Sequence, residues 1–224
     1  MKKVFGEHLF DDPERSWNAL LLALEVFQQS PADFYPFRSR YDAFLRGQEQ
    51  LSPAEQRGLA AFNDKTKGNC AACHISVVKR GAFPLFTDMG HIALAVPRNK
   101  SIAANRDPKF FDLGLCGPLR TDLSEHKEYC GLFKTPSLRN VSTRKVFFHN
   151  GVMTRLEDAV RFYALRDSGP GRVYPHGRFD DLPKAYRDNV NVEPPFGQKP
   201  GDKPSLSDAE IADIVAFLGT LTDR

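Results

Sequence analysis

The five-residue string CAACH, residues 70 to 74, constrains this chain more than any other feature of its sequence. The spacing C-x-x-C-H lets two thiols add to the vinyl groups of a haem while the adjacent imidazole binds the iron. The motif therefore predicts one covalently bound haem c. Cys70 and Cys73 are the predicted anchors, and His74 is the predicted proximal ligand.

Two other uses of paired cysteines fit the sequence less well. A zinc site would need a second pair of closely spaced ligands, and the remaining cysteines, Cys116 and Cys130, are far apart. A thioredoxin-like dithiol would need a βαβ pattern, and strand signals are weak throughout the chain. Haem is the interpretation that also accounts for the histidine directly after Cys73.

Cys116 and Cys130 differ from the haem motif in their surroundings. Each is followed by glycine, in LCGPL and YCGLF, within a segment that has the composition of a loop. We expect a disulfide between them, which would stabilise a loop of this size by roughly 3 kcal/mol. An oxidising compartment would suit both this bond and a covalent haem. The alternative is a pair of buried, unpaired thiols that act as small hydrophobic residues.

Length and composition indicate a soluble globular chain. Of the 224 residues, 41% are hydrophobic and 11% are aromatic. The 31 basic and 28 acidic residues form no long runs, so no nucleic acid partner is predicted. The longest apolar run, ALLLAL at 19 to 24, is too short for a membrane span, and MKKVFGEHLF lacks the apolar core of a secretory signal. If the protein is exported, we expect its leader to be missing from this chain.

Helix signals dominate the chain. The segment after DDPER predicts a helix with Asp12 as its N-cap and Pro13 at its first position, carrying an apolar stripe that is expected to be core. The stripe consists of Trp17, Leu20, Leu21, Leu24 and Phe27. A short second helix should carry Tyr41, Phe44 and Leu45.

Three further helices should begin with a capping box, in which a Ser or Thr and a Glu three residues later bond each other's backbone amides. The boxes pair Ser52 with Glu55, Thr154 with Glu157, and Ser207 with Glu210. In the last helix, Leu206 and Ile211 can form a hydrophobic staple. The segments 79 to 132 and 166 to 204 lack periodicity. The sequence thus predicts a mainly α fold in which long irregular loops surround a cofactor.

The ligand on the second face of the iron decides what the haem can do. A methionine raises the potential and suits electron transfer, an open face suits peroxide chemistry, and an anionic tyrosine stabilises oxidised iron. By residue type, the candidates are Met89, Met153, Tyr163, His8, His91, His126, His149 and His176. Sequence spacing does not choose among them, and each also suits an ordinary core or surface position.

The segment GLFKTPSLRNVSTRKVFFHNGVMTRLEDAVRFY, 131 to 163, resembles the signature block of bacterial di-haem cytochrome c peroxidases and MauG proteins. The other parts are in the same order, with LSPAEQRGLAAF leading into CAACH and SLSDAEIADIVAFLGTL closing the chain. The resemblance implies a single haem c domain of cytochrome c-like fold over 1–224. It corresponds to the C-terminal half of the family, so the N-terminal haem domain, which carries the peroxide-reactive site, is expected to be missing.

The resemblance also implies a redox function in the periplasm. The domain would exchange oxidising equivalents between a peroxide-activating haem and an electron donor or partner protein. The complete protein would be a peroxidase-type oxidoreductase that uses hydrogen peroxide to oxidise a small redox protein or a partner-protein substrate. The alternative is a stand-alone one-haem electron-transfer cytochrome without turnover of its own.

Family positions are carried over residue by residue. The distal ligand of the second haem falls on Tyr163, where the peroxidases have Met and MauG has Tyr. Arg139, in PSLRN, matches a family arginine near the haem and would pair with a propionate. A calcium ion between the two domains would be bound by the backbone carbonyls of Arg144 and Val146.

Overall fold

The structure is a computed structural model that describes residues 1–35 and 37–224. It is mainly helical, which confirms the predicted fold class. The chain divides into two compact units, Met1–Arg38 and Ser39–Arg224. The CAACH motif, the signature block and the terminal helix all belong to the second unit, and the extent of the haem domain over 1–224 stays a prediction.

Helices account for most of the regular structure. They are α1 (Lys2–Phe5), α2 (Pro13–Gln28), α3 (Pro31–Phe34), α4 (Arg40–Leu45), α5 (Pro53–Asn63), α6 (Leu156–Leu165) and α7 (Asp208–Gly219). Two short strands, β1 (His91–Ile92) and β2 (Phe133–Lys134), pair antiparallel. Short 3-10 segments lie at Leu9–Asp11, Cys70–Ala72, Ala104–Arg106, Lys127–Tyr129, Val141–Thr143, Pro170–Arg172 and Lys184–Asn189.

The first unit is built on α2. The helix begins as predicted, because the Asp12 side chain accepts hydrogen bonds from the amides of Glu14 and Arg15 at 2.9 and 3.2 Å. The prediction that its apolar stripe is core is wrong for the chain as described. The five side chains of that stripe are between 40% and 59% exposed. Local periodicity predicted the helix correctly, but it did not show whether the chain itself covers the apolar face.

The core of the second unit is centred on four aromatic rings from different parts of the chain. Tyr41 of α4 and Phe62 of α5 each lie 5.2 Å, between ring centroids, from Phe217 of α7. Phe86, from the irregular segment after the motif, lies 5.6 Å from Tyr41. The Tyr41 hydroxyl donates to the carbonyl of Ser76 at 2.9 Å. Edge-on packing of this kind fixes the three helices and the segment after CAACH relative to one another.

Two of the three predicted capping boxes are confirmed. Ser52 and Ser207 each accept from the amide three residues on, and Glu55 and Glu210 return the bond to the serine amides. A third box, which the sequence did not suggest, caps α4 at Ser39. Each box satisfies backbone amides that a helix start would otherwise leave unpaired.

The box predicted for Thr154 and Glu157 is wrong. Helix α6 begins one residue later than the box requires, with Arg155 as its N-cap and no side-chain hydrogen bond to the cap. The Glu157 carboxylate is engaged instead by Arg155 at 2.8 Å and by Arg161 at 2.7 Å. Ion pairing with these arginines replaces the return bond of the box.

The long segment between α5 and α6 is mostly irregular, as expected. Cys116 and Cys130 form the predicted disulfide. The loop that it closes is also held by backbone hydrogen bonds from Leu113 to Gly117 and from Gly131 to Leu113, at 2.7 and 2.9 Å. Within the described residues, no helix is both long and apolar enough to cross a membrane.

Helices α5 and α7 approach each other most closely at Gly58. A Cβ atom at this position would lie 1.9 Å from the carbonyl oxygen of Asp213. The contact is with backbone rather than with a flexible side chain, so it cannot be relieved by a rotamer change. Any other residue at this position would force the two helices apart.

We predict that Gly58→Ala lowers the free energy of unfolding by about 3 kcal/mol, since the new methyl group must push the two helices apart. Gly219→Ala is the matched control, because a Cβ at that end of α7 meets no atom within 4 Å. It should leave stability unchanged or raise it by up to about 1 kcal/mol. Urea unfolding of both variants, followed by circular dichroism, measures the difference. Equal stabilities would contradict the role assigned to Gly58.

Candidate haem site

The CAACH motif is positioned by the end of α5. The carbonyl of Asp64, the residue after the helix, accepts from the amide of Asn69 at 2.9 Å, and Asn69 takes the left-handed conformation with φ 45°. The chain then makes a single 3-10 turn, and the amide of His74 donates to the carbonyl of Cys70 at 2.8 Å. Asparagine tolerates this backbone conformation better than most residues, which suits it to the reversal between helix and motif.

The two thiols of the motif are free and half-buried. Burial raises the pKa of the Cys70 thiol to about 12, and it also raises the pKa of Cys73, with Asp88 and Glu193 adding to the effect. Because Cys116 and Cys130 are joined to each other, they offer no second thiol pair for a zinc site. Cys70 and Cys73 are thus available for thioether bonds.

The ring of His74 has a defined orientation and tautomer. Its Nδ1 lies 2.8 Å from the carbonyl oxygen of Phe86. A carbonyl can only accept, so Nδ1 carries the proton and the lone pair is on Nε2. Burial lowers the pKa of His74, although the Phe86 carbonyl, the charge of Asp88 and the Pro136 carbonyl oppose this, so the neutral ring is favoured over the imidazolium. A neutral imidazole with a free Nε2 is the form that binds iron.

Tyr163 lies on α6 and packs among aromatic rings. Its ring stacks on Phe196 at 5.6 Å and contacts Phe162 and Phe148. Burial raises the pKa of Tyr163, and the proximity of Cys70 and Cys73 raises it further. In the described parts of the chain, no hydrogen bond to its hydroxyl is found. The structure thus brings Tyr163 near the two cysteines and leaves its oxygen unused.

The other candidates for the distal ligand have more ordinary surroundings. Met89 is 52% exposed. Met153 packs against the hydrophobic core. His149 stacks on Phe133, with 3.5 Å between ring centroids. The remaining histidines, His8, His91, His126 and His176, are exposed. Proximity to the motif cysteines therefore favours Tyr163, which is partly buried like Met153.

Arg139 forms an ion pair with Asp42, whereas the resemblance predicted a haem propionate as its partner. Its Nη1 and Nη2 donate to the two carboxylate oxygens of Asp42 at 3.0 and 2.8 Å, and its Nε donates to the carbonyl of Pro84 at 3.0 Å. Asp42 is fully buried. Binding of a propionate by Arg139 stays a prediction, and the bidentate pairing with Asp42 does not support it.

The two carbonyls predicted to bind calcium lie in an exposed stretch, where Val146 is 54% exposed. Within residues 1–35 and 37–224, neither the Arg144 nor the Val146 carbonyl accepts a hydrogen bond, and no group of three or more His, Cys, Asp or Glu side chains could hold a metal. Calcium ligation stays a prediction from the family resemblance, and the two carbonyls are free of hydrogen bonds within the described residues.

Several residues at the site were not identified from the sequence. Phe86 contributes through its carbonyl, which no sequence signal marks. Arg166, one turn after Tyr163, is fully buried, pairs with Asp167 at 2.8 Å, and stacks on Phe196 at 3.5 Å from the ring centroid. Arg166 could have been identified from the sequence, because it is a charged residue one helical turn after the proposed ligand Tyr163. Arg166 stacks on the Phe196 ring and holds it in place, and Tyr163 packs against the same ring.

Taken together, these groups fit a haem c. The chain offers two free thiols, an imidazole whose Nδ1 donates to the Phe86 carbonyl, and a nearby phenol oxygen for which no hydrogen bond is found among the described residues. Haem c requires the first two features and can use the third as an axial ligand.

We predict that the double variant Cys70→Ala, Cys73→Ala loses all covalent haem, because no thiol remains to bond the vinyl groups. The matched control is Cys116→Ala, Cys130→Ala, which removes the other two cysteines. It should retain covalent haem while losing roughly 3 kcal/mol of stability. Haem staining of denatured protein in a gel distinguishes the two. Covalent haem in the first variant would refute the assignment.

Comparison with known proteins places these features in a family. No protein-family model matches the chain. The chain is 34% identical over 232 residues to the methylamine utilization protein MauG of Paracoccus denitrificans, covering 99% of this chain and 55% of that protein. It is 27% identical over 148 residues to the cytochrome c551 peroxidase of Pseudomonas aeruginosa, covering 65% and 36%. The crystal structure of the diheme peroxidase BthA from Burkholderia thailandensis matches with a TM-score of 0.89 and 45% identity, covering 99% of this chain and 55% of that one.

The likeness extends over nearly the whole chain in both sequence and fold. The chain spans about half the length of the Paracoccus MauG and of BthA, and about a third of the Pseudomonas peroxidase. The order of the motif, the signature block and the terminal helix agrees with the resemblance noted in the sequence. The chain belongs to the family of MauG-like di-haem peroxidases.

Proposed function

We propose that this chain is the C-terminal haem c domain of a di-haem peroxidase of the MauG type. Cys70 and Cys73 would attach one haem, and His74 and Tyr163 would bind its iron. The domain exchanges oxidising equivalents between a peroxide-activating haem in an N-terminal domain and an electron donor or partner protein. The complete protein is a periplasmic oxidoreductase that uses hydrogen peroxide to oxidise a small redox protein or residues of a partner protein.

The proposal rests on one observation: a histidine and a tyrosine, both of which can bind iron, lie close to the same two cysteines. His74 is neutral and oriented by the Phe86 carbonyl, and the Tyr163 oxygen lies unbonded near Cys70 and Cys73. A tyrosine ligand favours oxidised iron, whereas a methionine ligand favours simple electron transfer. The site therefore suits the storage of oxidising equivalents better than the relay of single electrons at high potential.

The residues of the chain have separate tasks in this function. His74 binds through Nε2 and keeps its Nδ1 proton on the Phe86 carbonyl. The Tyr163 oxygen would bind as the phenolate, and Phe148, Phe162 and Phe196 pack against its ring and orient it. When bound, a haem supplies an iron whose potential its axial ligands adjust over about 0.8 V.

Two observations support a second haem domain in the complete protein. The chain covers 55% of the Paracoccus MauG and 55% of BthA, which is named as a diheme peroxidase. The apolar stripe of α2 is exposed in the described chain. Large exposed apolar faces are typical of surfaces that another domain covers. We further propose that a calcium ion between the domains uses the carbonyls of Arg144 and Val146.

We expect Tyr163→Phe to raise the reduction potential of the haem by on the order of 0.1 V or more, because an anionic ligand that stabilises oxidised iron is removed. Spectroelectrochemical titration of the holoprotein measures this change. Tyr129→Phe, which removes a hydroxyl from the disulfide loop, is the matched control and should leave the potential unchanged.

Two outcomes would contradict the proposal. Absence of covalent haem would refute it entirely. A strongly positive potential that Tyr163→Phe leaves untouched would indicate a methionine ligand, and the stand-alone electron-transfer cytochrome would then be the better interpretation.

A second prediction concerns the complete protein. We expect the upstream reading frame to encode a second C-x-x-C-H motif, since the proposed peroxide-reactive haem belongs to the N-terminal domain. Protein produced from the longer frame should consume hydrogen peroxide with a reduced cytochrome as donor, whereas the present chain should only be oxidised and reduced. Peroxide turnover by the present chain alone would contradict this division of tasks.

A further inference from the structure

Two irregular segments, 84 to 87 and 135 to 139, are joined by hydrogen bonds that involve side chains. The Ser137 hydroxyl donates to the carbonyl of Leu85 at 2.7 Å, and the Thr87 hydroxyl donates to the carbonyl of Thr135 at 2.7 Å. The amide of Leu138 donates to the carbonyl of Phe86 at 3.3 Å. Because neither segment belongs to a helix or a long strand, these bonds supply the order that regular structure would otherwise give.

Phe86 lies at the centre of this pair of segments. Its carbonyl accepts from His74 Nδ1 at 2.8 Å as well as from Leu138. The residue is fully buried and has φ 53°, in the left-handed region that a bulky side chain rarely adopts. A backbone conformation of this kind persists only where its surroundings hold it in place. The direction of the Phe86 carbonyl therefore depends on its neighbours.

Arg139 connects this region to α4. Its Nε donates to the carbonyl of Pro84, two residues before Phe86, and its two terminal nitrogens grip the carboxylate of Asp42. Asp42 is itself fixed, because it accepts from the amide and the hydroxyl of Ser39 at 3.0 and 2.6 Å. Burial alone would raise the pKa of Asp42, but the bonds from Arg139 and Ser39 outweigh it and lower the pKa. The pair is thus a charged anchor in which the buried Asp42 carboxylate accepts from both Arg139 and Ser39.

We propose that Arg139 is a positioning residue for the proximal histidine. Anchored on Asp42, it holds Pro84 and with it the left-handed Phe86, so that the Phe86 carbonyl accepts the Nδ1 proton of His74. This inference rests on the proposed function, because it takes His74 as an iron ligand. It gives the arginine of PSLRN a role that does not depend on the predicted propionate contact.

The consequence for the iron follows from the strength of one hydrogen bond. A carbonyl that accepts from Nδ1 increases the basicity of the imidazole and fixes the ring orientation. Loss of the anchor lets the Phe86 carbonyl turn away from His74. The imidazole then donates less electron density through Nε2, and ferric iron is less stabilised. Arg139 thus acts on the haem potential through His74, without touching the haem.

The test compares Arg139→Gln, Asp42→Asn and the double variant, each as holoprotein. We expect the reduction potential to rise in all three by the same amount, because either change breaks the same anchor. Solvent exchange of the His74 Nδ1 proton, followed by NMR with isotope-labelled histidine, should become at least about tenfold faster. Tenfold corresponds to about 1.4 kcal/mol of lost protection.

The matched control is Arg57→Gln, which breaks a bidentate pair with Asp213 on the exposed side of α5, at 2.8 Å for both bonds. It should change neither the potential nor the exchange of the His74 proton. Where Arg139→Gln does not retain haem, Arg139→Lys replaces it, since lysine keeps the charge but cannot bond Asp42 and Pro84 together.

Unchanged exchange of the His74 proton in Arg139→Gln or Arg139→Lys would overturn the proposal. A potential that moves in opposite directions in the Arg139 and Asp42 variants would overturn it as well, because release from Asp42 would then strengthen a propionate contact. Failure of the proposed function is distinguishable, since it would be seen in the unaltered protein as an absence of covalent haem or of a His74 ligand signal.

Discussion

The close backbone contact between α5 and α7 at Gly58 is the constraint on which the position of the candidate site depends. Because a Cβ here would lie 1.9 Å from the Asp213 carbonyl, the two helices meet without side chains between them. Helix α5 ends at Asn63, and the CAACH motif begins seven residues later. The flanking ion pair between Arg57 and Asp213 is exposed on the arginine side and contributes little. Shape, more than charge, therefore places the motif.

The candidate site also requires that the segments without regular secondary structure are held in fixed positions. Loops carry function when a rigid scaffold positions them, and their backbone groups must still be satisfied. Around His74 this is done by side chains, among them the buried Asp42 and the partly buried Arg139. A buried ion pair of this kind is costly to break but adds little net stability. Its better explanation is that it fixes the position of the segments around His74. The aromatic contacts of Phe86 with Tyr41 and Phe62 complete the same arrangement.

Local signals in the sequence predicted much of this molecule. The capped starts of α2, α5 and α7 depend on residues within three positions of each other, and the motif C-x-x-C-H carries its chemistry in five. The disulfide followed from two cysteines in one loop. The pair between Asp42 and Arg139 could not be predicted in this way, because 97 residues separate its members. The carbonyl of Phe86 has no sequence signal, since every residue carries one.

The wrong prediction that the apolar stripe of α2 is core has the same cause, since burial depends on residues far away in the sequence. Periodicity shows that a helix has an apolar face, but burial depends on what lies opposite, which can belong to another part of a protein. Trp17 and Phe27 are 59% and 58% exposed in the described chain, while the chain spans 55% of the length of MauG. Aromatic side chains carry much of the energy of interfaces because each buries a large area. Exposed aromatic side chains of this kind are typical of a surface that another domain covers, which supports the proposed di-haem protein.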